Sequence, residues 1–232
     1  MKKLLVAILA CVPMLTLASS SGVHLEKAGN DLTGKASLKR GFENFLNYCL
    51  GCHQLQHQRY NRTFADLGIS DDEGKAKWMP TGEKVGDHIT NTMPAKEAAK
   101  WFGTAPPDLT LEARLRSPDW IYSYLRSFYV DPERPFGVNN KIFKDVGMPH
   151  VLQNLQGIRT VDEHGNLSPA TGGTMSEEEY DAFVRDLVNF LEYVGEPSKL
   201  ERESMGYWVI GFLVILFILS YLLKKEYWRD VH

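Results

Sequence analysis

Cysteine is scarce in this chain of 232 residues, which contains only Cys11, Cys49 and Cys52. A tetrahedral zinc site would need two more ligands, as a second C-x-x-C or a spaced pair of histidines, and neither is visible. A thioredoxin-like redox pair would need a βαβ surround, whereas strand signals in this sequence are sparse. The cysteine content therefore argues against both a structural zinc site and a redox-active dithiol.

The chain also lacks an excess of basic residues. It has 26 basic and 29 acidic residues, and five of the basic and two of the acidic ones lie outside residues 19–206, which leaves that region with a net charge of −6. This charge argues against nucleic acid as a partner. It is compatible with steering a basic protein partner to the surface, although solubility alone would also account for it.

One motif stands out against this background, Cys49-Leu50-Gly51-Cys52-His53. C-x-x-C-H is typical of a c-type haem attachment site, in which each thiol forms a thioether to the porphyrin and the histidine reaches the iron from one face. A plain disulfide between Cys49 and Cys52 would leave His53 unexplained. The sequence therefore predicts one covalently bound haem c, attached at Cys49 and Cys52 and ligated by His53.

The second axial ligand sets the chemistry of such a haem. A methionine gives the His/Met pair of cytochromes c and raises the potential, while an empty position permits O₂ or peroxide chemistry. Met148 lies between a glycine and a proline, and Met93 also precedes a proline, so stiff backbone can hold either side chain toward a ligand. The choice stays open between these two and the other candidates, which are Met79, Met175, Met205, His24, His57, His88, His150 and His164.

Two apolar segments frame the chain. Residues 1–20 begin with Lys2 and Lys3, continue through an apolar run and end in small residues, as a secretory signal peptide does. An uncleaved anchor is the alternative, but this run is short for a membrane span. Residues 207–223 carry no charge and would extend roughly 26 Å as a helix, close to the hydrocarbon thickness. Both ends of the chain therefore indicate a membrane-associated, exported protein.

The charges after the second segment predict its orientation. Lys224, Lys225 and Arg229 follow the apolar run directly, and cytoplasmic flanks carry such an excess of basic residues. We therefore expect a signal peptide at 1–20, a periplasmic haem domain at 21–204, a transmembrane anchor at 205–224 and a cytoplasmic tail at 225–232.

The predicted fold class is mainly α, with long irregular loops and one C-terminal transmembrane helix. Ser37 is expected to cap a helix that delivers the cysteines to the porphyrin edge, and Ser117, followed by a proline, to cap a second. Ser176 and Glu179 form a predicted capping box before an amphipathic helix of about five turns. A polar linker at residues 198–204 is expected to join this helix to the anchor.

These features together resemble the cytochrome c1 family in its bacterial form, the haem c subunits of the ubiquinol–cytochrome c reductase (bc1) complex. The resemblance covers most of the chain. It rests on the haem motif, on the single anchor with its basic tail, and on the sequence of four segments, which are residues 47–53, 101–110, 124–129 and 147–152.

The resemblance implies roles for individual residues. Cys49 and Cys52 would form the thioethers, His53 would be the proximal ligand, Met148 would be the distal ligand, and Pro107 would lie beside the haem. This implies a cytochrome c-type haem domain around one haem c.

The resemblance also implies an arginine that contacts a haem propionate, downstream of the Pro-Pro-Asp-Leu stretch. By spacing this is Arg114, with Arg116 as the alternative, and a propionate in a poorly solvated crevice favours such a charge-assisted partner. Some family members carry a disulfide between that stretch and the distal methionine. This chain has no cysteines for it, so packing must hold its loop.

The implied function is electron transfer. The protein would sit with cytochrome b and a Rieske iron–sulfur protein in a bacterial inner membrane, accept electrons from the Rieske centre and pass them to a soluble cytochrome c. It would supply axial ligation and a low-dielectric crevice but no catalytic site of its own. The alternatives are a membrane-anchored cytochrome c subunit of a terminal oxidase or other respiratory complex, and a peroxidase-like enzyme with an open iron site.

Overall fold

The computed structural model describes residues 24–231, so the predicted signal peptide lies outside the described residues. Within them are nine α-helices and only short strands, which confirms the mainly α class. The helices are α1 Lys35–Tyr48, α2 Tyr60–Leu67, α3 Asp71–Lys77, α4 Ala95–Phe102, α5 Glu112–Arg116, α6 Pro118–Arg126, α7 Gln153–Gln156, α8 Glu177–Gly195 and α9 Lys199–Tyr227.

The strands form three antiparallel two-stranded ribbons along the irregular part of the chain. Their members are β1 Leu55–Arg59 with β2 His88–Ile89, β3 Phe128–Val130 with β4 Val138–Asn140, and β5 Gly157–Ile158 with β6 Thr171–Gly172. The β1–β2 register contains an irregularity, since Leu55 faces Ile89 while Arg59 faces His88. These ribbons connect helices and do not form a layer of their own.

The main core lies where α1 crosses α8. Phe42 is fully buried there, stacked on Trp78 with ring centroids 5.4 Å apart and in contact with Phe190 at 5.2 Å. The two helix backbones come very close at Gly41, where a Cβ would overlap the carbonyl oxygen of Asp186. This crossing fixes the helix that leads into the haem motif.

The Gly41→Ala variant is therefore expected to lose about 1–3 kcal/mol of unfolding free energy, because the added methyl group must push two packed backbones apart. Gly86→Ala is the matched control, since a Cβ at Gly86 meets no atom within 4 Å. Thermal unfolding of the detergent-purified proteins, followed by circular dichroism, measures both. Equal melting temperatures for the two variants would contradict this account of the crossing.

The predicted cap of α1 is wrong. The helix begins at Lys35, one turn earlier than expected, and its N-cap Gly34 makes no side-chain hydrogen bond. The Ser37 hydroxyl is inside the helix and donates to Asp186 Oδ1 on α8 at 2.6 Å. A contact to a neighbouring helix has thus replaced the local cap that the sequence suggested.

The other two predicted caps are confirmed. Ser117 Oγ accepts a hydrogen bond from the backbone N–H of Trp120 at the start of α6. Ser176 and Glu179 form the complete capping box, and α8 runs for 19 residues behind it. In both caps the bonded residues are three positions apart, so the sequence alone indicates the pairing.

Helix α9 is longer than the predicted anchor, because the expected linker is itself helical from Lys199 onward. Ion pairs tie this first turn to the end of α8: Lys199 Nζ lies 2.7 Å from Glu192 Oε1, and Arg202 pairs with Glu196. Among residues 24–231, α9 is the one helix that is long and apolar enough to cross a membrane, with a mean hydropathy of 2.3 over its best window.

Candidate haem-binding site

The haem motif forms a tight turn directly after α1. The backbone N–H groups of Cys52 and His53 both donate to the carbonyl oxygen of Cys49, at 3.0 and 2.8 Å. Asn91, which lies two residues after the end of β2, also holds the turn: its Nδ2 donates to the carbonyl oxygens of Leu50 at 2.8 Å and of His53 at 3.3 Å. The turn is therefore held at both of its ends.

The two motif cysteines are half-buried and are not joined in a disulfide. Burial raises the pKa of Cys49 to about 12 and also raises the pKa of Cys52. Reactive redox cysteines show the opposite shift, because their thiolate is stabilised.

The imidazole of His53 is held by Pro107. Its Nδ1 lies 2.8 Å from the carbonyl oxygen of Pro107, which can only accept, so Nδ1 carries the proton and donates. This leaves the Nε2 lone pair free to bind a metal, as in most metal-binding histidines. Burial lowers the pKa of His53 and favours the neutral ring that such ligation requires.

The segment after Pro107 is tied to the segment after His53. The backbone N–H of Leu109 donates to the carbonyl oxygen of Gln54 at 2.9 Å, and that of Gln56 donates to Asp108 Oδ2 at 2.7 Å. The pairing sets the Pro107 carbonyl beside the ring of His53. Asp108 thus aligns the two segments, which explains what the aspartate of the Pro-Pro-Asp-Leu stretch does in the structure.

A cavity opens between the motif and the loop that carries Met148. Its larger part, about 330 Å³, is lined by Cys49, and a smaller part of about 70 Å³ is lined by Cys52. The larger volume falls in the range of roughly 300–1,000 Å³ that is usual for small-molecule and cofactor sites. The two parts share four lining residues, which are Thr104, Pro107, Gly147 and Met148.

Met148 reaches this cavity because of the glycine before it. A Cβ on Gly147 would lie 2.8 Å from the carbonyl oxygen of Phe102, so only glycine lets the loop approach the end of α4 this closely. The side chain is half-buried, and the hydroxyl of Tyr124 donates to its sulfur at 3.3 Å. Met93, the other proline-flanked candidate, lines a separate cavity that neither motif cysteine touches.

The structure places the two candidate arginines in different surroundings. Arg114 does not line the cavity: its guanidinium lies 3.8 Å from Glu196 at the end of α8. Arg116 does line the cavity, with its Cζ 4.7 Å from the centroid of the Trp120 ring and its Nε 3.2 Å from Glu112 Oε1. The contact of α5 with α8 turns Arg114 away, and spacing in the sequence could not reveal that contact.

These residues fit a covalent haem c. Cys49 and Cys52 border one cavity, His53 has an unprotonated Nε2, and a methionine thioether lines the same cavity. Sequence reasoning missed two supporting residues, Asn91 and Tyr124, because a lone amide and a hydroxyl carry no spacing signal. The fold and this site define a c-type cytochrome, an electron carrier, with a helix able to anchor it in a membrane.

Comparison with known proteins narrows this class. The sequence profile of the Cytochrome C1 family matches residues 30–231. A cytochrome c1 of Allochromatium vinosum is 52% identical over the full length of both chains. An ammonia monooxygenase gamma subunit of Nitrosomonas europaea is 48% identical, covering 100% of this chain and 98% of its own. The mitochondrial cytochrome c1 heme protein of Kluyveromyces lactis is 27% identical over 92% of this chain and 80% of its own.

The chain belongs to the cytochrome c1 family. It is thus an electron-transfer subunit of a bc1 complex, it carries covalently bound haem c, and it is membrane-anchored. The family resemblance seen in the sequence is confirmed.

Proposed function

We propose that this chain accepts single electrons from a Rieske iron–sulfur protein and passes them to a soluble cytochrome c, within a complex that also contains cytochrome b. The observation that carries the proposal is the hydrogen bond from His53 Nδ1 to the Pro107 carbonyl, which leaves Nε2 free for iron. The chain supplies no acid, base or nucleophile. Quinol oxidation belongs to the partner subunits.

In this proposal Cys49 and Cys52 would form the two thioethers to the haem, while His53 Nε2 and Met148 Sδ would bind its iron. A His/Met pair raises the potential of a haem, as an acceptor for a Rieske centre requires. Filling both axial positions also leaves none for O₂ or peroxide, which disfavours a peroxidase-like enzyme. The cavity then acts as the low-dielectric crevice that tunes the potential.

The proposed topology follows the charges along α9. Residues 1–20 act as a signal peptide, 21–204 form the periplasmic haem domain, 205–224 span the inner membrane and 225–232 lie in the cytoplasm. Lys224, Lys225 and Arg229 support this orientation by the positive-inside rule. At about 1.5 Å per residue, the helical turns before residue 205 hold the domain roughly 9 Å above the span.

Arg116 is proposed as the partner of a haem propionate. The positive charge of Arg116 stabilises the reduced haem, so Arg116→Gln is expected to lower the midpoint potential. A tenfold shift of the redox equilibrium would correspond to a fall of about 59 mV, which we take as the upper limit. Arg114→Gln is the matched control, because Arg114 points to Glu196 instead. Potentiometric titration measures both, and a larger fall for Arg114→Gln would contradict the assignment.

The proposed electron path is tested by rapid mixing of the purified complex with a quinol. We expect the haem c to become reduced, and depletion of the Rieske subunit to abolish that reduction without removing the haem. Reduction of a basic soluble cytochrome c should then slow with added salt, if the acidic surface steers it. Haem c reduction that survives loss of the Rieske subunit would overturn the proposed donor.

Two other complexes, an ammonia monooxygenase and a terminal oxidase, are distinguished from a bc1 complex by the proteins that purify with the chain. The name of the Nitrosomonas europaea relative describes an ammonia monooxygenase subunit, and a terminal oxidase subunit shares the anchor and the haem motif. A tagged full-length chain that brings down cytochrome b and a Rieske protein supports the bc1 assignment. Recovery with ammonia-oxidising subunits, or with oxidase haems, would overturn it.

A further inference from the structure

Two aromatic neighbours hold the ring of Tyr124 within the cavity wall. It stacks on Trp120, with centroids 5.1 Å apart and an interplanar angle of 8°, and meets Phe128 edge-on at 5.2 Å. The backbone carbonyl of Tyr124 also accepts a hydrogen bond from Asn140 Nδ2 at 2.8 Å. The direction of the phenol hydroxyl is therefore set by packing and not by solvent.

The hydroxyl points at sulfur. Tyr124 Oη lies 3.3 Å from Met148 Sδ and donates to it. A buried tyrosine hydroxyl usually finds a strong acceptor such as a carbonyl, whereas a thioether is a weak one. Packing fixes the Tyr124 hydroxyl but does not explain why it donates to a thioether, which is a weak acceptor. The hydrogen bond therefore points to a role for Tyr124 at the Met148 sulfur.

We propose that Tyr124 is a positioning residue for Met148, which fixes one lone pair of the sulfur and leaves the other directed toward the haem iron. This rests on the proposed role of Met148 as distal ligand. Groups in the outer shell commonly orient the ligands of a metal and tune its properties. Since the hydrogen bond withdraws electron density from the sulfur, it also weakens donation to ferric iron and raises the potential.

The test is the midpoint potential of Tyr124→Phe in the full-length, haem-loaded complex. The phenyl ring keeps the contacts to Trp120 and Phe128, so only the hydroxyl is lost. We expect a roughly two- to tenfold shift of the redox equilibrium toward the ferric state, the effect of one net hydrogen bond. A tenfold shift corresponds to a fall of about 59 mV.

Tyr122→Phe is the matched control. Tyr122 lies on the same helix and is only 4% exposed, but its ring contacts Arg126, with the Cζ 5.0 Å from the centroid, and it does not line the cavity. Loss of its hydroxyl removes a buried polar group of the same kind without touching Met148. Its midpoint potential should equal that of the parent protein.

The optical spectrum of the ferric protein tests the role of Tyr124 and the role of Met148 separately, because a sulfur-to-iron charge-transfer band reports that the methionine is bound to iron. A parent with that band, and a Tyr124→Phe variant with the band shifted and the potential lowered, would support the inference. A parent with the band and a Tyr124→Phe variant with the parental potential would overturn the inference alone. A parent without the band would overturn Met148 as ligand, and the inference with it.

Discussion

Replacing Met148 by leucine is expected to lower the midpoint potential of the haem by on the order of 0.1 V, because axial ligands set haem potentials over a range of about 0.8 V. For a one-electron couple, a fall of about 120 mV shifts the equilibrium roughly 100-fold against accepting an electron. Leucine nearly conserves the volume of methionine, so the cost in stability should stay below about 1.5 kcal/mol. Electron transfer from the Rieske centre should therefore stall in a folded protein.

The control for this variant is Met93→Leu. Met93 also precedes a proline but lines a separate cavity that neither motif cysteine lines, so the midpoint potential of Met93→Leu should equal that of the parent protein. The reduced Met148→Leu protein should in addition bind carbon monoxide at the opened iron position, which the parent should not do. An unchanged potential in Met148→Leu, or a fall in Met93→Leu, would remove Met148 as the distal ligand.

The double variant Cys49→Ser, Cys52→Ser is expected to carry no covalent haem at all. Serine keeps the size of the side chain but cannot form a thioether, and no other cysteine occurs among the described residues. A haem stain of the protein after a denaturing gel measures this directly, since only covalently attached haem survives. Loss of the cofactor also leaves a cavity of about 330 Å³ unfilled, so the variant should accumulate poorly.

The controls for the haem stain are the two single serine variants of the motif and a Cys11→Ser variant. Cys49→Ser or Cys52→Ser alone leaves one possible thioether, and each should give weaker staining than the parent. Cys11 lies in the predicted signal peptide, so Cys11→Ser should stain as strongly as the parent. A full-strength stain in the double variant would refute the attachment role of the motif.

The parts of this structure that could be predicted depend on residues close together in the chain. The capping box of Ser176 and Glu179 spans three residues, and the haem motif spans five, so their geometry follows from sequence spacing. The anchor was visible for a similar reason, because a continuous apolar run needs no partner to be recognised. Features of this kind can be predicted without knowledge of tertiary contacts.

The parts that could not be predicted depend on contacts between distant segments. Arg116 lines the cavity and Arg114 does not, because α5 packs on the end of α8, more than 75 residues further along the chain. The residues expected as a linker are helical, and there Lys199 pairs with Glu192 of α8 and Arg202 with Glu196 just after it. The hydrogen bond from Tyr124 to the Met148 sulfur likewise joins positions 24 residues apart.

The most direct test of the whole account is a dithionite-reduced minus oxidised optical spectrum of the tagged full-length protein, purified from its own membranes in mild detergent. We expect the bands of a c-type haem accompanied by those of b-type haem, without oxidase haems. The c-type bands together with oxidase haems would contradict the bc1 assignment, and a preparation without haem would contradict the reading of the site from Cys49 onward.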